Sequence, residues 1–309
     1  MFLKLGLLFL SLFISQMIYA DAGWVKIPED PTIVRLQDNF GRCTGTRISH
    51  QGHILTARHC FNQCLIAGQF VQTEILFPSV GWQSPKLYKF NSENPAVCTM
   101  NVDGVEQELE VVFASGGFMT PSEQGSLSVS DPQVYDQLLE SYFLYNGDYA
   151  VVKQRVDHPT SCRAVSTTAV EANETIYYMG YPTASMGGRP EGYESDGESL
   201  LLSRGHRVVS MAENTCIDTQ SSTLAAVLKR YDRPEIFLST IDVLPGASGS
   251  SVLNENGEIV AVVNSVYSPR VNMYQHYCSG SAVAVGVERI LQHMAEEDFP
   301  AQDVFDCEM

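Results

Sequence analysis

Short runs in which apolar and polar residues alternate recur along the chain, and a period of two is the pattern of a half-buried β-strand. The run from Thr46 to His50 alternates in this way, and Gln51-Gly52 supplies turn residues after it. A second apolar run covers 54–57 and leads directly into His59. The pattern predicts a β-hairpin that delivers a histidine at its end.

Most of the remaining chain consists of strand-like runs separated by clusters of Gly, Ser, Pro and Asn. These runs cover 70–77, 109–113, 150–152, 175–178, 200–202, 207–209, 252–253 and 259–263. Asn256-Gly257, between the last two runs, is a strong hairpin signal. Helical spacing is found over 134–143 and again over 287–294. The pattern predicts a chain made mostly of short strands, with a short helix over 134–143 and another near the C-terminus.

The first twenty residues have the pattern of a secretory signal peptide. Lys4 precedes an apolar segment from Leu5 to Ile14, and Ala20 ends a small-residue cleavage site before Asp21. The apolar segment is too short for a membrane span, which disfavours the alternative of an uncleaved anchor. We therefore expect residues 1–20 to be removed, and the mature chain to be secreted or periplasmic and free of the membrane.

Charge and cysteine content narrow the possible functions further. The net charge is −17, and nucleic-acid binding is disfavoured because phosphate contacts need clusters of Lys and Arg. The chain has eight cysteines, and an even number in an exported chain suggests disulfides. No metal or cofactor is expected, since neither a zinc site at 59–64 nor a calcium site at 193–199 has suitable ligand spacing.

Three segments carry the candidate chemistry. His59 is a suitable base near neutral pH, Ser248 stands in the glycine-rich turn 245–252 as a nucleophile, and Asp148 precedes an apolar run as an orienting carboxylate. Taken singly, each has an ordinary structural explanation: a buried histidine, a turn serine or a turn aspartate. Asp157 and Asp136 are alternative carboxylates, but neither precedes an apolar strand as well.

The motifs Leu55-Thr-Ala-Arg-His59-Cys60, Asn146-Gly-Asp148 and Gly246-Ala-Ser248-Gly249 stand in this order along the chain. With them, the chain resembles the chymotrypsin-like (trypsin-like) serine protease family, especially its short bacterial secreted members and the glutamyl-endopeptidase-like group. The resemblance implies two antiparallel six-stranded β-barrels with a C-terminal helix. The first barrel would occupy 21–157, with a long insertion over 62–144, and the second barrel 158–309.

The same resemblance implies the roles of the site residues. Ser248 would be the nucleophile, His59 its base and Asp148 the carboxylate that orients the imidazole. The backbone N–H groups of Gly246 and Ser248 would form the oxyanion hole. The chain does not contain the Gly-x-Ser-x-Gly motif of lipases, because Ser250 stands at the position of its last glycine.

The cysteine pairing is only partly constrained by the sequence. The motif around the histidine supports a bridge between Cys43 and Cys60, which would pin the backbone behind the imidazole. The other six cysteines allow 15 pairings. Among these, we expect a bridge between Cys64 and Cys98 within the insertion.

The chain also departs from the family pattern at two places. Ala247 replaces the aspartate that pairs with a freed N-terminus in animal zymogens, so that activation route is not expected. Asp242 and Ser265 are the candidate substrate-binding residues, but Asn264 replaces the histidine of the glutamyl-specific group. The sequence therefore does not decide whether the protein cleaves after basic residues or after residues of another type.

Two classes of function fit these observations. The first is a secreted, monomeric serine endopeptidase that hydrolyses proteins or peptides. The second is a secreted binding protein on the same fold that does not use the triad. The complete triad and Gly246 favour the enzyme.

Overall fold

The computed structural model describes residues 24–39, 41–61, 64–65, 70–73, 87–115, 148–171, 173–182, 197–203, 205–209, 235–238, 246–266 and 282–307. The helix predicted over 134–143 lies outside these residues, as does most of the acidic loop 193–199. Asp242, Asp136, Cys216 and Cys278 also lie outside them.

The described elements are almost all strands, as the alternating pattern predicted. In chain order the strands are β1 Trp24–Lys26, β2 Ile33–Gln37, β3 Arg42–Arg47, β4 His53–Ala57, β5 Phe70–Thr73, β6 Leu87–Phe90, β7 Ala96–Val102, β8 Val105–Ala114, β9 Tyr149–Gln154, β10 Thr175–Gly180, β11 Leu201–Ser203, β12 His206–Val209, β13 Glu235–Leu238, β14 Ser251–Leu253, β15 Ile259–Val266 and β16 Ala282–Gly286. The helices are a 3₁₀ turn Arg58–Phe61, α1 Val287–Glu296 and α2 Ala301–Val304.

The first barrel is closed by six strands in the order β2-β3-β4-β9-β8-β7. Along β7, buried and more exposed residues alternate, because successive side chains of a strand point to opposite faces of the sheet. The inward residues form a core that includes Val34, Leu36, Ile54, Leu109 and Val152. Strands β5 and β6 pair as a separate two-stranded sheet.

The second half of the chain forms an antiparallel sheet that also returns on itself. Its order is β1-β11-β10-β12-β13-β16-β15-β14, and β14 pairs in addition with β10. Strands β10, β12, β13, β16, β15 and β14 therefore make a second ring, to which β11 and the N-terminal strand β1 are attached. This architecture, together with α1, confirms the predicted all-β, chymotrypsin-like fold.

Helix α1 packs on the seam between the two barrels. Its buried Ile290 and Met294 belong to a core cluster that also contains Leu55 of the first barrel and Val262 of the second. His293 of α1 is buried as well, and its Nδ1 forms a hydrogen bond with the hydroxyl of Tyr149. The helical spacing predicted near the C-terminus thus marks the residues that hold the two halves together.

The predicted hairpins are present, with one difference in length. β14 and β15 pair across Asn256-Gly257, where Gly257 has a φ of 79°. β3 and β4 pair as predicted, but β3 ends at Arg47, short of the predicted His50. The reason is Ser49, whose Oγ accepts the backbone N–H groups of Gln51 and His53, each at 3.1 Å, and so closes a tight turn.

Three disulfides connect described residues. Cys43 pairs with Cys60, Cys64 with Cys98, and Cys162 with Cys307. The last pair ties the segment that leaves the first barrel to the end of the chain. No helix among the described residues has the length and apolar character needed to cross a membrane.

The buried His53 makes the stability of the fold sensitive to acid. Burial, reinforced by nearby Lys153, lowers the pKa of His53 from 6.5 to about 4, while Asp306 and Asp303 act in the opposite direction. Below pH 6.5 the unfolded chain takes up a proton that the folded chain does not accept until about pH 4. The free energy of unfolding should therefore fall by roughly 3 kcal/mol between these two pH values, since one pH unit corresponds to about 1.36 kcal/mol.

Urea denaturation of the wild type and of His53→Gln, measured from pH 7.5 to pH 4, checks this expectation. The glutamine variant should lose the part of the pH dependence that His53 supplies and have a flatter profile. Parallel profiles for the two proteins would contradict the assignment to His53.

Candidate active site

His59 lies in the 3₁₀ turn that directly follows β4, at the end of the predicted hairpin. All five residues of β4 are buried, so the strand holds the turn firmly against the first barrel. The disulfide from Cys60 to Cys43 anchors the residue next to His59 to strand β3, with the two Cα atoms 6.2 Å apart. The side chain of His59 itself is 36% exposed, so that it is both fixed and accessible.

The bridge between Cys43 and Cys60 should stabilise the protein measurably. It closes a loop with a sequence separation of 17 residues, for which about 2–4 kcal/mol is expected. Replacing both cysteines by alanine should lower the free energy of urea unfolding by this amount. Equal stability of the Cys43/Cys60 variant and the wild type would contradict the expectation.

Asp148 stands immediately before β9 and is joined to His59 by two hydrogen bonds. Its Oδ2 lies 2.7 Å from His59 Nδ1, and its Oδ1 accepts the His59 backbone N–H at 2.9 Å. An ionised carboxylate can only accept, so the proton of a neutral imidazole must be on Nδ1. Nε2 is then the nitrogen with the free lone pair, which is the arrangement that a general base requires.

Asp148 adopts a left-handed backbone conformation with a φ of 51°. A non-glycine residue in this region is strained by about 1–3 kcal/mol and is found where surrounding contacts fix it. Here the backbone N–H of Arg58 donates to the Asp148 carbonyl at 3.1 Å, beside the two bonds from His59. The hairpin end therefore holds the backbone and the carboxylate of Asp148 together.

Arg58 adds a buried charge beside this pair. Only 7% of the residue is exposed, its Nε lies 3.8 Å from Asp148 Oδ1, and its Nη1 donates to the carbonyl of Ser115 at 3.1 Å. A buried guanidinium needs an anionic or polar partner. Its position ties the Asp148 carboxylate to the end of β8.

Ser248 lies in a tight turn that runs from Gly246 to Ser250 and leads into β14. Gly246 and Gly249 have φ values of 87° and 80°, which favour glycine. The Gly249 N–H donates to the Val263 carbonyl at 2.7 Å, and the Ser250 N–H donates to the Ala247 carbonyl at 2.9 Å. The second barrel thus shapes this turn from β15.

The first barrel holds the same turn from the opposite side. The Thr44 N–H donates to the Ser248 carbonyl at 2.8 Å. A Cβ built on Gly249 would overlap Thr44 O and Thr56 Oγ1 and lie 3.0 Å from the Ala57 N. Since Ala57 is two residues before His59 and Thr44 follows the bridged Cys43, the serine turn is brought to the same end of the β3–β4 hairpin as the histidine.

The structure describes the predicted site residues in different detail. His59 and Asp148 are in direct contact, and Gly246 and Ser248 lie in the turn packed on β3 and β4. Ser265 lies on β15, where only its backbone is described, and Asp242 is outside the described residues. Ala247, beside the nucleophile candidate, is completely buried in the second barrel's core.

The described residues offer little to a metal ion. Two groups of Cys and His atoms lie close together, one at His59 with Cys43 and Cys60, the other at His50 with Cys162 and Cys307. Each pair of cysteines forms a disulfide, so neither group has a free thiolate. One histidine remains in each, which is fewer ligands than a structural or catalytic zinc site uses.

Comparison with known proteins identifies the family. The model of the trypsin-like peptidase domain matches residues 43–262. The chain belongs to this family. The match includes His59, Asp148 and Ser248, and it confirms the resemblance seen in the sequence motifs.

Two further comparisons accompany this match. A solved structure of a Glu endopeptidase in complex with MPD has 18% sequence identity and a TM-score of 0.43, and the alignment covers 89% of this chain and 98% of that one. No curated protein matches the sequence.

Sequence reasoning missed two residues of this site, Thr44 and Arg58. Arg58 had a detectable signal, because a charged residue next to His59 interrupts an otherwise apolar run. The signal for Thr44 was weaker: a residue with a side-chain hydroxyl stands between Cys43 and Gly45. The contacts of Thr44 reach residues more than a hundred positions away, and no local pattern records them.

Proposed function

We propose that the protein is a secreted serine endopeptidase that hydrolyses peptide bonds through an acyl-enzyme. One observation carries the proposal. The His59–Asp148 pair lies at the end of the strands β3 and β4, and the turn with Ser248 is locked onto the same two strands. Base, orienting carboxylate and nucleophile therefore share one rigid support, which is what nucleophilic catalysis by a serine requires.

In the proposed mechanism His59 Nε2 accepts the proton of the Ser248 hydroxyl as Oγ attacks the carbonyl carbon of the scissile peptide. The imidazolium formed is stabilised by Asp148 and then donates that proton to the leaving amine nitrogen as the C–N bond breaks. Water attacks the ester in the same way, giving its proton to His59. The acid product leaves and the serine regains its proton.

The developing negative charge on the carbonyl oxygen needs donors that are already in place. In the proposal these are the backbone N–H groups of Gly246 and Ser248. The left-handed Gly246 supports this role, because a residue without a Cβ lets the backbone turn its N–H toward the substrate. Donors of this kind contribute about 10²–10³ in kcat each.

The family and the cysteines support proposals about the substrates and the location of the protein. Trypsin-like peptidases act on proteins, so protein or peptide chains are the proposed substrates. The three disulfides are compatible with an extracellular or periplasmic location after removal of residues 1–20. We place the boundary between the halves at 157–158, and we propose a monomer that needs no metal or cofactor.

Specificity is proposed to depend on Asp242 and Ser265 in the pocket for the residue before the cleaved bond. A carboxylate at the base of that pocket would favour Arg or Lys through a charge-assisted hydrogen bond. A peptide library should then show cleavage after Arg and Lys, weakened at least tenfold in Asp242→Ser. Cleavage after Glu or small apolar residues, unchanged by this substitution, would remove Asp242 from the pocket.

Covalent labelling tests the proposed activity most directly. A fluorophosphonate should label the mature wild type at a single serine, and Ser248→Ala should remain unlabelled while keeping the wild-type circular dichroism and melting temperature. Ser250→Ala, two positions away and buried, is the matched control and should still be labelled. Absence of labelling in a folded wild type would favour the alternative, a binding protein that does not use the triad.

A further inference from the structure

Thr44 connects the two barrels at the serine turn, and its hydroxyl is completely buried. Oγ1 accepts the Tyr181 backbone N–H at 2.9 Å and lies 3.1 Å from the Gly246 carbonyl. Because a hydroxyl has one proton and Tyr181 supplies another, the Thr44 proton is directed to the Gly246 carbonyl oxygen. One side chain of the first barrel thus links two segments of the second.

The backbone of Thr44 reinforces this connection. Its N–H donates to the Ser248 carbonyl at 2.8 Å, and its carbonyl accepts the Thr56 hydroxyl at 2.7 Å. Thr44 is therefore itself held by β4, which carries His59 at its end. The hydrogen bond from its side chain to Gly246 starts from a fixed point.

The Gly246 carbonyl belongs to the peptide bond between Gly246 and Ala247. This peptide lies between the two N–H groups proposed for the oxyanion hole, those of Gly246 and Ser248. Glycine adopts both signs of φ with little penalty, so Gly246 alone does not select one orientation of the peptide. A donor fixed to the first barrel does select it, because the carbonyl oxygen must point at that donor.

We propose that Thr44 is a positioning residue: its hydroxyl sets the orientation of the Gly246–Ala247 peptide and thereby the direction of the oxyanion-hole donors. The expected effect on catalysis rests on the proposed function. The orientation of the Gly246–Ala247 peptide does not depend on that function. Gly180 supports the proposal, because a Cβ there would lie 3.0 Å from Thr44 Oγ1 and overlap the Ser250 hydroxyl. Residue 180 thus has no side chain that would crowd the threonine hydroxyl.

The test compares Thr44→Val, which has the same shape without the hydroxyl, with Thr44→Ser, which keeps it. Crystal structures should show the Gly246–Ala247 peptide rotated in the valine variant and unchanged in the serine variant. With a peptide substrate, kcat per labelled active site should fall about 10–100-fold in Thr44→Val, KM should stay within twofold, and Thr44→Ser should stay within threefold of wild type. If the valine variant does not fold, Thr44→Ala removes the same hydroxyl with less volume.

Thr46→Val is the matched control. Thr46 lies on the same strand, is equally buried and also connects the barrels, through its hydroxyl and that of Ser251, but it does not contact Gly246. It should lose stability without loss of kcat. Wild-type kcat in folded Thr44→Val, an unmoved peptide in its crystal structure, or an equal loss of kcat in Thr46→Val would each overturn the proposal. An inactive wild type would instead refute the proposed function, and the crystal structures would still decide the role of Thr44.

Discussion

Ser248→Ala is expected to lower kcat/KM by about 10⁴-fold or more, because removal of the proposed nucleophile would leave only binding and oxyanion stabilisation. His59→Ala should have a loss of similar size. Asp148→Asn should also be severe, at roughly 10⁴-fold in kcat, since the amide can hold the imidazole in the wrong tautomer. Hydrolysis of a peptide substrate by the purified mature proteins measures all three losses, and circular dichroism checks that each variant is folded.

Combined substitutions distinguish a triad from three independent contributions. Once Ser248 is absent, the proton transfer through His59 no longer contributes, so the Ser248→Ala/His59→Ala variant should be about as active as Ser248→Ala alone. Asp157→Asn is the control for the carboxylate, since Asp157 is one of the two alternative carboxylates in the sequence and lies exposed beyond β9. Multiplicative losses in the double variant, or a loss in Asp157→Asn equal to that in Asp148→Asn, would contradict the assignment.

The parts of this molecule that the sequence reveals are those with a local physical cause. Alternation over a few residues marks strands because side-chain direction repeats every two residues, and Asn256-Gly257 marks a turn because both residues tolerate positive φ. Strand β7 was not predicted, because its seven residues alternate in burial but not in sequence: Ala96, Val97 and Cys98 are all apolar. The predicted strand over 46–50 was too long, because the Ser49 turn replaces continued pairing.

The candidate site could be predicted only as far as family motifs reach. His59, Asp148 and Ser248 stand in those motifs, but their mutual support depends on contacts between distant segments. Thr44 bonds to Gly246, which is 202 positions away. Arg58 and Ser115 meet across 57 positions. Such contacts are set by how the strands close into barrels, and a one-dimensional pattern does not contain that information.

Gly249→Ala is expected to be strongly destabilising. At φ 80° an alanine is strained by about 1–3 kcal/mol. Its Cβ would in addition overlap Thr44 O and Thr56 Oγ1, which are parts of two buried strands that cannot move away easily. The expected loss of unfolding free energy is therefore about 3 kcal/mol or more, and any folded protein should have its serine turn displaced from β3 and β4.

Gly257→Ala separates the two causes of this loss. Gly257 has nearly the same φ, 79°, but the nearest atom to an added Cβ is Arg163 Nη1 at 3.5 Å, an ordinary contact with the end of a flexible side chain. The Gly257→Ala variant should lose only the stability that corresponds to the backbone strain. It should keep the wild-type rate of fluorophosphonate labelling. Urea unfolding of both variants should differ by about 2 kcal/mol, the effect of overpacking a close contact. Equal destabilisation of the two variants would mean that the contact between the serine turn and the first barrel is looser than its geometry implies.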